Sequence, residues 1–444
     1  MQHDVFAVDV SGTPSLPIGG GCGLVIEQLI ERISRKEFSR FLRFSGGETP
    51  ELPRALYGRN LLLYLHVPFC ESLCPYCSFH RVVFEESLCR RYFDAMRKEM
   101  RIYGNLGYDF SGLYVGGGTP TVMMDELAAT LALAKELFSI GEISVETNPN
   151  HLTDGNLLKL KGLGIQRLSV GVQSFDDTLL AAMGRFTKYG SGGDIFRRLV
   201  EIRDEFDTVN ADMIFNLPLQ SEESLARDLD RIIGSGIGQV TWYPLMVSDA
   251  TWSDVEHAFG VARRTSEKKY YSLIAERLTA HFRFSSAWCF SRRESMVDEY
   301  IVSHDEYAGL GSGAIGYLGG VCYANTFSIE EYIERLGRGE IPLMASRTFS
   351  RRERARYDFV MKLFGMELDL DALRDRYGGE ILSLLWKDIG AFTMAGGLHY
   401  EGGKLFLTDR GRYYWVIIMR EFFTAVNNFR DYCRTMTKEC ECHG

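Results

Sequence analysis

No stretch of this 444-residue chain reaches eighteen consecutive apolar residues, so a helix that crosses a bilayer is not expected. A surplus of positive charge is missing too. Fifty Lys and Arg stand against 59 Asp and Glu, a formal charge of −9, which argues against a general nucleic-acid binder. An anionic small ligand stays open, because a few local arginines can outweigh the global sign. The opening "MQHDVFAVDVSGTPS" lacks the basic start and apolar run of a secretory signal. A cytoplasmic location is therefore the expectation, and in a reducing cytosol the ten cysteines are not expected to pair. Internal repeats and low-complexity tracts are also lacking. At 45 % hydrophobic and 25 % charged, the composition is that of a globular chain. Its length suits one large domain with one or two smaller ones.

Residues 1–57 read as a leader: a Gly-rich turn "IGGGCG", a helical segment "LVIEQLIERISRKEFSRFLRF" and a Pro/Gly-rich link. From Leu61 the pattern is strand, loop, helix, repeated. "LLLYLHV" is a continuous apolar run, as in a buried parallel strand. "GLYVGGGTPT", "EISVETNP", "QRLSVGVQSF", "TVNADMIFNLP" and "IGQVTWYPLMV" are further strands, each alternating with a helical period. Six β/α units in roughly 190 residues predict an α/β fold, a partial (β/α)6 barrel, since a full eight-stranded one needs about 250. Functional loops would gather at the C-terminal ends of its strands. The barrel is expected over residues 58–250, with a barrel extension on the substrate side over 251–345. A small helical, winged-helix-like domain is expected over 346–444, where "GGLHYEGGKLFLTDRGRYYW" reads as a hairpin and a helix.

The first strand runs into "VPFCESLCPYCSFH", where Cys70, Cys74 and Cys77 are spaced C-x3-C-x2-C. Three thiolates leave one iron of a cubane cluster without a protein ligand, whereas closed Fe–S sites use four. The open corner could take a small chelating molecule. Zinc is the competitor, but it wants a fourth protein ligand, from His66, His80 or elsewhere.

C-x3-C-x2-C after the first strand of a partial barrel resembles the signature of the radical S-adenosylmethionine superfamily. The resemblance implies that Cys70, Cys74 and Cys77 hold a 4Fe–4S cluster, with S-adenosylmethionine on the fourth iron. One electron then releases a 5′-deoxyadenosyl radical. "YLHVPFC", "YVGGGTPT", "SVETNP", "RLSVGVQSF" and "ADMIFNLP" resemble, in that order, the oxygen-independent coproporphyrinogen III oxidase subgroup, over about residues 58–330. "LTDRGRYYW" is similar to that subgroup's C-terminal domain. Carried over, Tyr64, Gly117, Glu146 and Pro244 lie round a first S-adenosylmethionine. Gly118, Thr119, Gln173, Arg185 and Asp212 lie round a second. Tyr76 belongs with the cofactor contacts, and Tyr64 and His66 are the candidate catalytic residues. Free N–H groups in "GGGTPT" are expected to bind a carboxylate, and Glu146 to accept from the cofactor's ammonium.

The chain departs from the oxidases at Phe79, where they carry a further cysteine. That form resembles the heme-chaperone relatives and the class C methyltransferases, in which the second nucleotide donates a methyl group. Three outcomes follow: oxidative decarboxylation of porphyrinogen propionates, methyl transfer to an aromatic, quinone or tetrapyrrole carbon, or heme chaperoning. A flavodoxin or ferredoxin would supply electrons. For propionates the candidate cations are Arg263, Arg264, Arg292 and Arg293, each of which reads equally as a surface arginine. Trp242, Tyr243, Trp288 and Phe290 are candidates for a flat pocket or for core. "GLGSGAIGYLGGVCYANT" resembles the segment that closes over the adenosine end of the site. Cys433, Cys440, Cys442 and His443 form a tail cluster whose spacing matches no zinc template.

Overall fold

The computed structural model describes residues 22–42, 44, 52–55, 60–260, 266–293 and 300–441. Its centre is six strands: β1 (Leu61–Val67), β2 (Gly112–Gly117), β3 (Glu142–Thr147), β4 (Arg167–Gln173), β5 (Thr208–Phe215) and β6 (Gln239–Pro244). They lie side by side in chain order, every pair parallel. Parallel neighbours need a long crossover. Helices Glu86–Asn105, Met124–Leu137, Asp154–Gly162, Gly192–Ile202 and Glu222–Ser235 provide it. Ser191 and Ser221 start the last two, each hydroxyl accepting from the backbone N–H three residues on. β1 is a near-continuous apolar run because both its faces are covered; only Tyr64 escapes full burial. The six expected units are thus present, as an open sheet rather than a closed barrel.

Both edges of this sheet are extended. On the β6 side run the antiparallel strands Cys289–Ser291 and Arg283–Phe284. On the β1 side, β7 (Glu306–Leu310) adds in parallel, followed by antiparallel β8 (Ile315–Leu318), β9 (Val321–Asn325) and β10 (Leu343–Thr348). The Gly-rich segment at 309–326 therefore contributes strands to the sheet. Crowding explains its glycines: a Cβ at Gly316 would lie 2.2 Å from the Tyr323 ring, and one at Gly309 2.2 Å from the Ile315 carbonyl oxygen.

Outside the sheet, the hairpin Leu398–Glu401/Lys404–Leu407 leads into the long helix Asp409–Glu441, and Glu367–Asp369 adds a third strand. The leader helix Cys22–Phe41 packs along this C-terminal helix, with Phe38 edge-on to Phe422. Arg420 joins the two to a third. Its Nη1 lies 2.5 and 2.6 Å from the carboxylate oxygens of Glu267, on helix Glu267–Leu278. Its Nη2 lies 3.1 Å from Glu421 and 3.4 Å from Glu31, and Arg35 reaches Glu421 at 2.8 Å. Glu267, Arg420 and Glu421 are all buried.

Arg420→Ala takes the ion-pair partner from buried Glu267 and leaves Glu421 to Arg35, and is expected to cost about 3–5 kcal/mol, read from the denaturant midpoint. Removing Glu267 as well, as E267Q/R420A, is expected to recover part of it. An unchanged midpoint in Arg420→Ala would mean that apolar contact alone holds the three helices.

Candidate functional site

The cysteine loop leaves β1 at Pro68. Phe69–Cys70 pairs briefly with Val82–Val83, and the Cys77 N–H donates to the Cys74 carbonyl at 3.2 Å. Arg81 donates to the carbonyls of both Cys74, at 2.7 Å, and Cys77, so the guanidinium fixes the turn that carries two of the three thiols. The loop after β2 straps the same segment. Gly118 N–H donates to the Val67 carbonyl at 2.7 Å and Thr119 N–H to that of Phe69 at 2.8 Å. A Cβ at Gly118 would sit 2.7 Å from the Phe69 carbonyl oxygen, so only glycine admits this approach. Gly117, at φ +116°, donates its N–H to Glu146 Oε2 at 3.0 Å, and the Tyr114 hydroxyl donates to Oε1 at 2.9 Å. The N–H groups of Gly117, Gly118 and Thr119 are thus spent within the protein. The expectation that they bind a carboxylate is corrected: the loop's chemistry toward the cavity is that of the Glu146 carboxylate, an acceptor.

One cavity of about 350 Å³ collects most of the expected residues. Cys70, Cys74 and Cys77 line it together with Tyr64, Tyr76, Gly117, Gly118, Glu146, Gln173, Arg185, Asp212 and Pro244. Gln173 sits at a β4 bulge with φ +72°, backbone strain at the rim of a site. Asp212 accepts from Ser169 at 2.9 Å and Asn210 at 2.8 Å. Arg185 is buried. It donates to Asn148 Oδ1 at 3.2 Å and to the Gly171 carbonyl, and it lies 3.8 Å from Cys74 Sγ and over the Tyr189 ring. Its Nε has no partner within the protein.

Two expected residues lie beneath the cavity wall instead. Thr119 is buried, accepts from Asn148 at 2.8 Å, and turns its hydroxyl to Cys70 Sγ at 3.8 Å. His66 is also buried, with Nε2 2.9 Å from the His80 carbonyl. A carbonyl only accepts, so Nε2 carries the proton, and Nδ1 accepts from the Tyr64 hydroxyl at 2.9 Å. The catalytic role expected of His66 is therefore corrected to a positioning one, aiming Tyr64 and backing Gly117. With both ring nitrogens engaged, His66 is no fourth ligand, and His80 is turned to Ser312 at 3.1 Å.

The donor set fits an iron–sulfur cube. Burial, then the neighbouring Cys77, push the Cys70 thiol up to about 11. Such thiols ionise together only beside compensating positive charge, which iron supplies and Arg81 and Arg185 supplement. Zinc would need donors converging on one point. A fourth protein donor is not offered by His66, whose two ring nitrogens are engaged, whereas three thiolates suffice for a cube that leaves one iron open.

Most substrate-side candidates fall to the second of their two readings. Of the four aromatics only Tyr243 reaches the cavity; Trp242, Trp288 and Phe290 are core. Arg292 donates to the carbonyls of Ile233 and Ile237, closing the end of helix Glu222–Ser235. Arg293 does not line the cavity either; Arg263 and Arg264 lie outside the described residues. Cys433 packs in an apolar cluster with Phe44 and Phe429. The Cys440 side chain, Cys442 and His443 are outside the description. Sequence reasoning missed Asn148, although it follows Glu146 in the same quoted motif. It also missed Arg81, whose signal was its place four residues after Cys77.

Residues 64–232 match the profile of the Radical SAM superfamily. Among curated relatives, the heme chaperone HemW of Bacillus subtilis (strain 168) is 26 % identical over 364 residues, covering 79 % of this chain and 95 % of that one. An oxygen-independent coproporphyrinogen III oxidase from Pseudomonas aeruginosa is 24 % identical, covering 80 % and 84 %. The solved structure of coproporphyrinogen III oxidase (HemN) from Escherichia coli shares the fold, with a TM-score of 0.70 at 22 % identity over 82 % of this chain and 90 % of that one. The superfamily's cofactors are a 4Fe–4S cluster and S-adenosylmethionine. No helix among the described residues is long and apolar enough to cross a membrane.

Burial holds His66 down to about 4, against 6.5 for an exposed imidazole. Between those values the unfolded chain binds a proton that the native one refuses. Stability is therefore full above pH 6.5 and falls as pH drops toward 4, by on the order of 3 kcal/mol. Denaturant titrations of cluster-free protein are expected to show this slope, and His66→Gln to reduce it, with the remainder left to His80, whose burial also lowers its pKa. Parallel curves for the two proteins would contradict the assignment.

Proposed function

We propose, on the premise that this chain is a radical S-adenosylmethionine protein of the HemN/HemW-like subgroup, that it is a hydrogen-abstracting enzyme with two nucleotides in one cavity. A single observation carries the reading. Residues matched to the first nucleotide and residues matched to the second come from all six central strands or the loops that follow them, yet line the same cavity as the three cysteines. Thr119, buried below, is the exception.

Cys70, Cys74 and Cys77 would hold the cluster. When bound, cluster and nucleotide together supply a 5′-deoxyadenosyl radical able to take hydrogen from an sp3 carbon. The protein's own part is to hold and exclude. Glu146, already aimed by Tyr114 and Gly117, suits the ammonium of the first nucleotide. Arg185, with its unpartnered Nε, and Asp212 offer opposite charges to the second. Tyr64 is held by His66 with its hydroxyl hydrogen pointed away from the cavity, leaving its oxygen as an acceptor. The surrounding walls keep water from a reactive intermediate.

Two nucleotides are common to the oxidase and methyltransferase readings, and the positions of the candidate arginines favour methyl transfer, in which the second nucleotide donates the methyl group. Decarboxylation of a porphyrinogen is less well supported, because the arginines expected to neutralise its propionates do not line the cavity where they are described. Heme chaperoning remains a second reading, motivated by the relatives that carry that name over some four-fifths of this chain. A flavodoxin or ferredoxin would be the electron donor.

The test is product analysis on reconstituted protein with dithionite. Equal amounts of S-adenosylhomocysteine and 5′-deoxyadenosine are expected for methylation, carbon dioxide with 5′-deoxyadenosine for decarboxylation, and stoichiometric heme binding without either for a chaperone. Cys74→Ala is expected to abolish iron binding and to lower nucleotide cleavage at least a hundredfold. Cleavage that survives this substitution would remove the basis of the proposal.

A further inference from the structure

Beyond its polar groups the cavity has a second wall. Phe41 from the leader helix, Tyr317 from β8, Phe349 and Tyr357 form it. Their rings touch one another: Phe41 and Phe349 lie 4.1 Å apart between centroids, and Tyr317 and Tyr357 lie 4.6 Å apart. The C-terminal helix closes the enclosure with Phe422, Val426 and Arg430. These are spaced i, i+4, i+8, so one helix face is turned to the cavity.

Charge on that lining is sparse. Among the described residues its cations are Arg81, Arg185 and Arg430. The first two are committed to the cysteine loop and to Asn148 and Gly171, as described above. Arg430 alone stands on the apolar side, held by Asn427 Oδ1 at 2.9 Å and by the Phe79 ring at 5.1 Å. A substrate with four carboxylates needs several such cations to leave water. One arginine beside an aromatic wall suits one anionic group on a flat apolar body.

We propose that the substrate is a flat, mostly apolar aromatic acid with one anionic group, received by Arg430 and stacked against the wall around Phe349. This deepens the enzyme reading above and rests on it.

Titrations of reconstituted full-length protein test it, with 2-naphthoic acid, neutral 2-naphthamide and the tetracarboxylate coproporphyrin III as probes. The acid is expected to bind about tenfold tighter than the amide, and tighter than coproporphyrin III. Arg430→Gln is expected to erase the acid's advantage while leaving amide binding within about twofold. Arg430→Lys, which keeps the charge, is expected to retain part of it even if the first variant folds poorly. Phe349→Ala is expected to weaken acid and amide alike. Equal binding of acid and amide, or tighter binding of coproporphyrin III through Arg430, would overturn the proposal. Reductive nucleotide cleavage is measured on the same sample. Its loss overturns the enzyme reading, whereas intact cleavage without acid preference overturns this inference alone.

Discussion

Two backbone hydrogen bonds, from the N–H groups of Gly118 and Thr119 to the carbonyls of Val67 and Phe69, join the loop after β2 to the loop after β1. The site depends on that contact. It sets the entry to the cysteine loop and presses Gly117 against the His66 ring, where a Cβ would meet the imidazole at 2.7 Å. It also places the Thr119 hydroxyl beside Cys70. Side chains there would push the two loops apart, and the three thiols would lose their common setting. The strain of a positive φ at Gly117 is thus tolerated by the one residue that can adopt it.

The sheet that carries these loops is open, and an open sheet leaves one side of its site to water. Elements from the two ends of the chain cover that side. Their attachment is electrostatic at its centre, through Arg420, and polar at the loops. Asn428 exchanges hydrogen bonds with Asp249, and Asn427 donates to the Met246 carbonyl. Ser78, in the cysteine loop, accepts from Ser248 N–H at 3.0 Å. The C-terminal helix is therefore tied to the loop after β6, and that loop in turn to the cysteine loop.

Legibility in the sequence followed the range of the interactions. The six strands were readable because each is a local run with a local period. The three cysteines were readable because spacing within a short loop carries chemistry, whereas Glu146 and Arg185 were singled out by the family resemblance of their motifs. His66 was legible as important and misjudged in role, since whether a ring faces the cavity or lies beneath it depends on its bond to the His80 carbonyl, fourteen residues away. The strands at 306–325 were hidden because close packing against Tyr323 and Ile315 demands glycine, and glycine reads as a turn. The aromatic wall was not legible at all. Phe41, Tyr317, Phe349 and Phe422 lie up to 381 residues apart in the chain, and nothing in any one segment marks them as neighbours.

This division has a chemical logic. The sheet-borne half of the cavity is polar and carries charges of both signs, with Glu146 and Asp212 set against Arg81 and Arg185. Such a surface suits a sulfonium nucleotide, which has a cation, an ammonium and a carboxylate within a few bonds. The other half, from the leader, β8, the segment around Phe349 and the C-terminal helix, is aromatic and carries one arginine among the described residues. Radical generation makes the same demands whatever the substrate, so it belongs on the rigid sheet. Choice of substrate differs between relatives that share the fold, so it belongs on the elements that close it. The likeness to an oxidase and to heme chaperones covers both halves in outline. It constrains the first half by motif and the second only by fold, so the aromatic wall, and not the cysteine loop, is where this chain has room to differ from those relatives.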